Sequence, residues 1–208
     1  MMDQQSAEWR AARLGKVTAS RVSDVMAKGR NGEPSRTRAS YMAELICERL
    51  TGEPYDSYQS ADMERGSLVE GRAKSTYELL TGLPMTDGGF DAHPVIADFG
   101  ASPDMLVGSD GLAEFKCPKS STHIDSLLGD KIDRAYVLQM QAQMACTGRK
   151  WCDFVSFDPR MPLDMQMIIT RVGRDDVMIA EMEKEVSTFL SDMTAKIEAL
   201  NSKFKVAA

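Results

Sequence analysis

Between Gly88 and Lys116 the chain loses helical periodicity. Glycines and prolines cut it into short apolar runs: Pro94-Val95-Ile96, Met105-Leu106-Val107 and Leu112 to Phe115. Runs this short read as strands joined by tight turns, with Gly108-Ser109-Asp110-Gly111 as a hairpin turn. Helical patterns stand on both sides. The longest begins near Arg174, where Met178, Met182, Val186, Phe189, Met193, Ile197, Leu200 and Phe204 recur at steps of four and three. That spacing marks one apolar stripe on a helix running from about 174 to 205. A strand-rich centre between helical flanks, without an internal repeat, specifies an α+β fold: a small mixed sheet wrapped by helices. The length fits one domain over residues 1–208.

The flanks resolve further. Ser6 to Leu14 reads as a short helix with Trp9 on its apolar side. Thr18 to Ala27 reads as a second, capped by Thr18 or Ser20, with Val22, Val25 and Met26 as its apolar face. Lys28 to Arg38 is a breaker-rich basic loop, in which Lys28, Arg30, Arg36 and Arg38 stand against Glu33. Helices follow from about Arg38 to Leu50, ended by Thr51-Gly52, and from about Ala61 to Leu80. Gly66 and Gly71 lie inside the second, each costing about 1 kcal/mol relative to alanine, which points to close packing or a close ligand. Helices are expected again at Ser121 to Leu128 and Asp133 to Cys146, with strands at Trp151 to Phe157 and Met165 to Val172.

Composition excludes several classes. No run of about 18 apolar residues exists, so no membrane-spanning helix is expected, and the polar stretch Met1 to Leu14 lacks a secretory core. These features predict a cytoplasmic protein. Cys47, Cys117, Cys146 and Cys152 form no C-x-x-C pair and only two histidines are present, which argues against zinc and a disulfide framework. The thiols are expected to be reduced and mostly buried, and His93 and His123 to be hydrogen-bonded surface or core residues. The formal charge of -6 means that a nucleic-acid-binding chain must gather its basic residues on one surface.

The segment that carries chemistry is Ser102-Pro103-Asp104, followed after nine residues by Glu114-Phe115-Lys116. If Met105 to Val107 and Leu112 to Lys116 are neighbouring antiparallel strands, Asp104 lies near the end of one and Glu114 and Lys116 on the other. Alternation points Glu114 and Lys116 to one face and Phe115 into the core. Two carboxylates and an ammonium can then meet. That set suits phosphodiester hydrolysis: carboxylate oxygens are ligands that Mg²⁺ prefers, and a lysine can orient water or stabilise developing charge. Glu70 sits beside the apolar stripe of the long helix, among Leu68, Val69, Ala73 and Tyr77. It needs a metal or a partner, and Arg72 or Lys74 could equally supply the latter.

These residues resemble the phage lambda exonuclease family, the YqaJ-like viral recombinases of the PD-(D/E)xK nuclease superfamily. The resemblance is spread over W-R-x-x-R-L-G-K-V-T-A-S (Trp9 to Ser20), R-G-x-x-x-E (Arg65 to Glu70), S-P-D (Ser102 to Asp104), E-F-K-C-P (Glu114 to Pro118), A-Y-x-x-Q-x-Q (Ala135 to Gln141) and F-D-P-R-M (Phe157 to Met161). It implies a restriction-endonuclease-like core and a homotrimeric ring threading duplex DNA. It further implies Mg²⁺-dependent digestion of one strand from its 5′ end to mononucleotides, with Mn²⁺ as a substitute and a single-strand annealing protein as partner. By this likeness Asp104, Glu114 and the Phe115 carbonyl hold the metal with help from Glu70, Lys116 positions water, and Gln139 is a further active-site residue. Arg13, Ser20 and Ser102 would bind the 5′-phosphate. Met63 would stand at a wedge, Tyr136 one helical turn before Gln139, and Arg30 and Arg36 on a DNA-tracking loop.

Overall fold

Gly111–Lys116 forms the strand that organises the larger sheet, because its alternate residues suit two different neighbours. The computed structural model describes residues 4, 6–30, 32–55, 61–129 and 131–204, with side chains for all of these except 61–67. The helices are α1 (Ala7–Arg13), α2 (Val22–Met26), α3 (Arg36–Thr51), α4 (Ala61–Thr81), α5 (Ser120–Leu127), α6 (Arg134–Thr147) and α7 (Asp176–Phe204). The strands are β1 (Val17–Thr18), β2 (Met85–Asp87), β3 (Asp91–Ala92), β4 (Phe99–Ala101), β5 (Met105–Val107), β6 (Gly111–Lys116), β7 (Trp151–Phe157) and β8 (Met167–Gly173).

Among the described residues the strands form two sheets, one of five strands in the order β2-β5-β6-β7-β8 and one of three in the order β1-β4-β3. The expected α+β fold is present, with a second, three-stranded sheet beside the mixed one. Within the larger sheet β6 runs antiparallel to β5 and parallel to β7, so the sheet is mixed. Ala113 and Phe115 pack with Val107, Val155 and Phe157 against Ala73 and Tyr77 of α4. On the opposite face Leu112 packs with Met140 and Met144 of α6. The smaller sheet joins α2, α3, α6 and α7 in a separate cluster that includes Val17, Phe99, Tyr41, Met182 and Phe189.

Local signals explain most boundaries. Ser6, Ser35 and Asp133 cap α1, α3 and α6 by accepting backbone N–H groups. Gly148 ends α6 in the left-handed region at φ 71°, where a side chain would be strained. The stripe of α7 is buried through Ile179, Met182, Val186, Phe189 and Met193, while Phe204 at its end is exposed.

Several expectations are corrected by long-range contacts. The helix expected over Thr18 to Ala27 is a short strand, a 3-10 turn (Ala19–Arg21) and then α2, because Val17 and Thr18 pair with Phe99 and Gly100. Pro94 to Ile96 is a turn and no strand: the His93 ring nitrogen Nδ1 accepts the N–H groups of Val95 and Ile96. Arg38 belongs to α3 and is buried, donating to the Val25 carbonyl at 2.8 Å, so it leaves the basic loop. A Cβ on Gly71 would meet nothing within 4 Å, so no close packing explains that glycine. Cys47 is exposed, whereas Cys152 is buried.

Gly88 has the opposite environment. A Cβ there would stand 1.9 Å from the carbonyl oxygen of Pro103, the residue before Asp104. Gln4 also donates its amide to the carbonyls of Gly88 and Pro103. Gly88→Ala is therefore expected to destabilise the fold by about 1–3 kcal/mol, the usual range for overpacking. Urea unfolding reads this directly, and an unchanged midpoint would mean that the backbone beside Asp104 yields freely.

Candidate active site

The end of β5 and the middle of β6 bring Asp104 and Glu114 together. The β5–β6 register pairs Met105 with Ala113, which puts the next residues outward, Asp104 and Glu114, beside each other. Asp104 accepts the Phe115 N–H at 2.7 Å. The N–H and C=O of one strand residue point to the same side, so the Phe115 carbonyl faces the Asp104 edge as well. The Phe115 ring turns into the core, edge-on to Tyr77 at 5.6 Å.

Glu114 is 2% exposed and both of its carboxylate oxygens accept hydrogen bonds. Its Oε1 accepts Lys116 Nζ at 2.6 Å and Gln139 Nε2 at 2.7 Å, and its Oε2 accepts Gln143 Nε2 at 2.6 Å. Gln139 and Gln143 are four apart on α6 and so share a face. Gln143 is a residue that sequence reasoning missed; its spacing from Gln139 was the available signal. Lys116 also lies 4.8 Å from the Tyr136 ring, which stacks on Phe154. A cavity of ≈ 230 Å³ opens past Lys116 and Tyr136 toward Ser156 and Thr170.

Electrostatics mark this spot. Burial pushes the Asp104 carboxyl well above the usual carboxylate range, and the charges of Glu114 and then Glu70 push it further. Burial opposes the Lys116 ammonium, but Glu114 and Asp104 outweigh it and raise its pKa. Glu70 itself is bridged to Lys74 at 2.9 Å, the helical partner that the sequence left open. Among the described residues no group of three histidine, cysteine, aspartate or glutamate side chains stands ready-made to hold a metal ion. The donor chemistry nonetheless fits a hard divalent cation: Asp104, Glu114 and the Phe115 carbonyl are oxygen donors on one edge. Asp104 carries a carboxylate repulsion that a cation would relieve.

The residues expected around a 5′-phosphate lie just beyond. Ser102 Oγ accepts Arg13 Nη1 at 3.0 Å and the Trp9 indole N–H at 2.9 Å. Ser20 stands at the same end of the smaller sheet, since β1 and β4 run parallel and in register, but its hydroxyl meets Thr18 Oγ1 at 3.3 Å. Arg30 and Arg36 are exposed. The side chain of Met63 falls outside the described residues, although the residue lies within α4. His93 bridges to Glu183 and His123 to Ser156 and the Met165 carbonyl, both as buried hydrogen-bonded groups.

Residues 8–150 match the model of the YqaJ-like viral recombinase domain. The chain belongs to this family. Among solved structures, this YqaJ-like chain is 53% identical to LHK-Exo, an alkaline exonuclease from Laribacter hongkongensis, covering 97% of this chain and 100% of that one with a TM-score of 0.90. The same values hold for a crystal structure of LHK-Exo in complex with dAMP. A phage-related exonuclease from Haemophilus somnus 129PT shares the fold at 16% identity and a TM-score of 0.69, over 89% of this chain and 96% of that one. No curated protein sequence matches. The likeness to LHK-Exo along the whole chain makes this YqaJ-like protein an exonuclease. Among its described residues no helix is long and apolar enough to cross a membrane.

Proposed function

We propose that the chain is a divalent-metal-dependent exonuclease that degrades one strand of linear duplex DNA from its 5′ end to mononucleotides. The reading treats residues 1–208 as one nuclease domain. The observation that carries it is the convergence of Asp104, Glu114 and Lys116, two residues along the chain from the Arg13–Ser102 contact. LHK-Exo, crystallised with a deoxynucleoside monophosphate, supports a mononucleotide product.

Asp104, Glu114 and the Phe115 carbonyl would hold Mg²⁺, or Mn²⁺ in its place, with Glu70 close enough to assist. When bound, such a cation lowers the pKa of water and offsets charge on the phosphate. The neighbouring carboxylates favour the Lys116 ammonium, which would orient water and stabilise developing charge. Gln139 and Gln143 fix the Glu114 carboxylate, and Tyr136 borders the ammonium. Arg13, Ser102 and Ser20 would receive the terminal phosphate, a guanidinium with hydroxyl donors being suited to that anion. Arg30 and Arg36, exposed on one loop-helix junction, would track the backbone, and Met63 would help part the terminal base pairs.

The product would be duplex with 3′ single-stranded tails, suited to recombination through a single-strand annealing partner, and the enzyme would work as a homotrimeric ring around DNA in the cytoplasm. Free thiols fit that reducing compartment. The decisive experiment offers linear and covalently closed circular duplex with Mg²⁺, with EDTA as control. Nucleotide release is expected from the linear form alone. Cutting of the closed circle would make the chain an endonuclease, and no release from 5′-phosphorylated ends would end the proposal.

A further inference from the structure

Ser102 accepts two hydrogen bonds on one oxygen, from the Trp9 indole and from Arg13. A serine hydroxyl has two acceptor sites and one proton. Both acceptor sites are taken by groups that can only donate. The proton must therefore point elsewhere, and among the described residues no acceptor receives it. Ser102 is only half-buried, so it presents an O–H that can serve a ligand as donor.

The same indole also orders Arg13. Trp9 and Arg13 are four apart on α1 and lie on one face, with the guanidinium carbon 4.2 Å from the ring centroid. Of the guanidinium nitrogens only Nη1 has a hydrogen-bond partner among the described residues. Burial lowers the Arg13 pKa, and the opposing effects of Tyr41 and Glu48 do not outweigh it. Trp9 and Arg13 line a cavity of ≈ 300 Å³ with Arg10, Lys16 and Thr18, and its two glutamates are already engaged, Glu44 by Arg21 and Glu48 by the Gly15 and Tyr55 N–H groups. The functions that Ser102 and Arg13 leave free are all donors.

We propose that Trp9 is a positioning residue that makes this pocket selective for an acceptor-only ligand, the ionised phosphate at a DNA 5′ end, over a 5′-hydroxyl. Its N–H locks the polarity of Ser102, and its ring face holds the Arg13 fork in place. Without the N–H, Ser102 regains an acceptor site and can serve a hydroxyl as readily. The inference rests on the phosphate-end reading above.

The test compares kcat and KM on blunt duplexes of one sequence ending in 5′-phosphate or 5′-hydroxyl. Trp9→Phe keeps an aromatic face for Arg13 and removes the N–H. The preference for phosphate is expected to fall about tenfold, the effect of one hydrogen bond to a charged group, through KM on phosphorylated ends. Hydroxyl-ended duplex should be digested at least as fast as before. An unchanged preference, or an equal loss on both ends, overturns the role of Trp9 while leaving the phosphate pocket standing. A wild-type protein without preference removes the pocket and the inference together. If Trp9→Phe does not fold, the indole N–H resonance of Trp9 is followed during titration with inorganic phosphate, told from that of Trp151 with Trp151→Phe. A shift lost in Ser102→Ala supports the coupling, and a resonance that phosphate leaves unmoved overturns it.

Discussion

Lys116→Ala is expected to lower turnover about 10²–10³-fold while duplex binding persists, the usual consequence of deleting one electrostatic donor from a preorganised site. The ammonium contacts Glu114 at 2.6 Å and belongs to the charge cluster that includes Asp104. Those two carboxylates hold the proton on the amine despite burial, so its loss removes a fixed positive charge where a phosphate would gain negative charge. The fold should survive, because Gln139 and Gln143 still donate to Glu114. Single-turnover rates and DNA-binding titrations separate the two effects. A rate near that of the wild type would take Lys116 out of the mechanism.

Asp104→Asn should have two opposite effects: an activity loss of several kcal/mol in barrier, on the order of 10³-fold, and a more stable metal-free protein. The stability gain follows from the raised carboxyl pKa. Between the ordinary carboxylate value and the raised one, the native state binds more protons than the unfolded chain. Unfolding free energy therefore falls as pH rises through that window and stays lowered above it. Asparagine keeps an acceptor for the Phe115 N–H but carries no charge. At neutral pH its midpoint should rise by about 2–4 °C for each kcal/mol of repulsion removed, a gain that vanishes at acidic pH. Mg²⁺ should raise the melting temperature of the wild type and not of the variant. A variant that melts lower than the wild type at neutral pH would show that Asp104 is not under electrostatic strain.

The parts of this molecule that were legible in the sequence are those governed by local rules. Alternation along Gly111–Lys116 placed Glu114 and Lys116 on one face with Phe115 turned inward, and the hairpin residues before it brought Asp104 alongside. Helix ends at Gly52 and Gly148 followed from their chemistry. What stayed hidden depends on partners far along the chain. Val17-Thr18 became a strand only because Phe99 and Gly100 offer an edge. Pro94 to Ile96 became a turn because the ring of His93 satisfies its backbone. Arg38 looked like a surface cation and is instead drawn beneath α7, 5.1 Å from the Phe189 ring. Trp9 read as an apolar residue of a short helix, since nothing local announces that its N–H finds Ser102, 93 positions away.

Ser102 leaves the smaller sheet and Asp104 enters the larger one, with only Pro103 between them. Two residues of backbone reach at most about 7 Å, and proline removes much of their freedom to bend. On the proposed reading, the place where a strand end is gripped and the place where it is cut are separated by a spacer of nearly constant length. The bite per cycle would then be set by covalent geometry instead of by the strength of any contact with DNA.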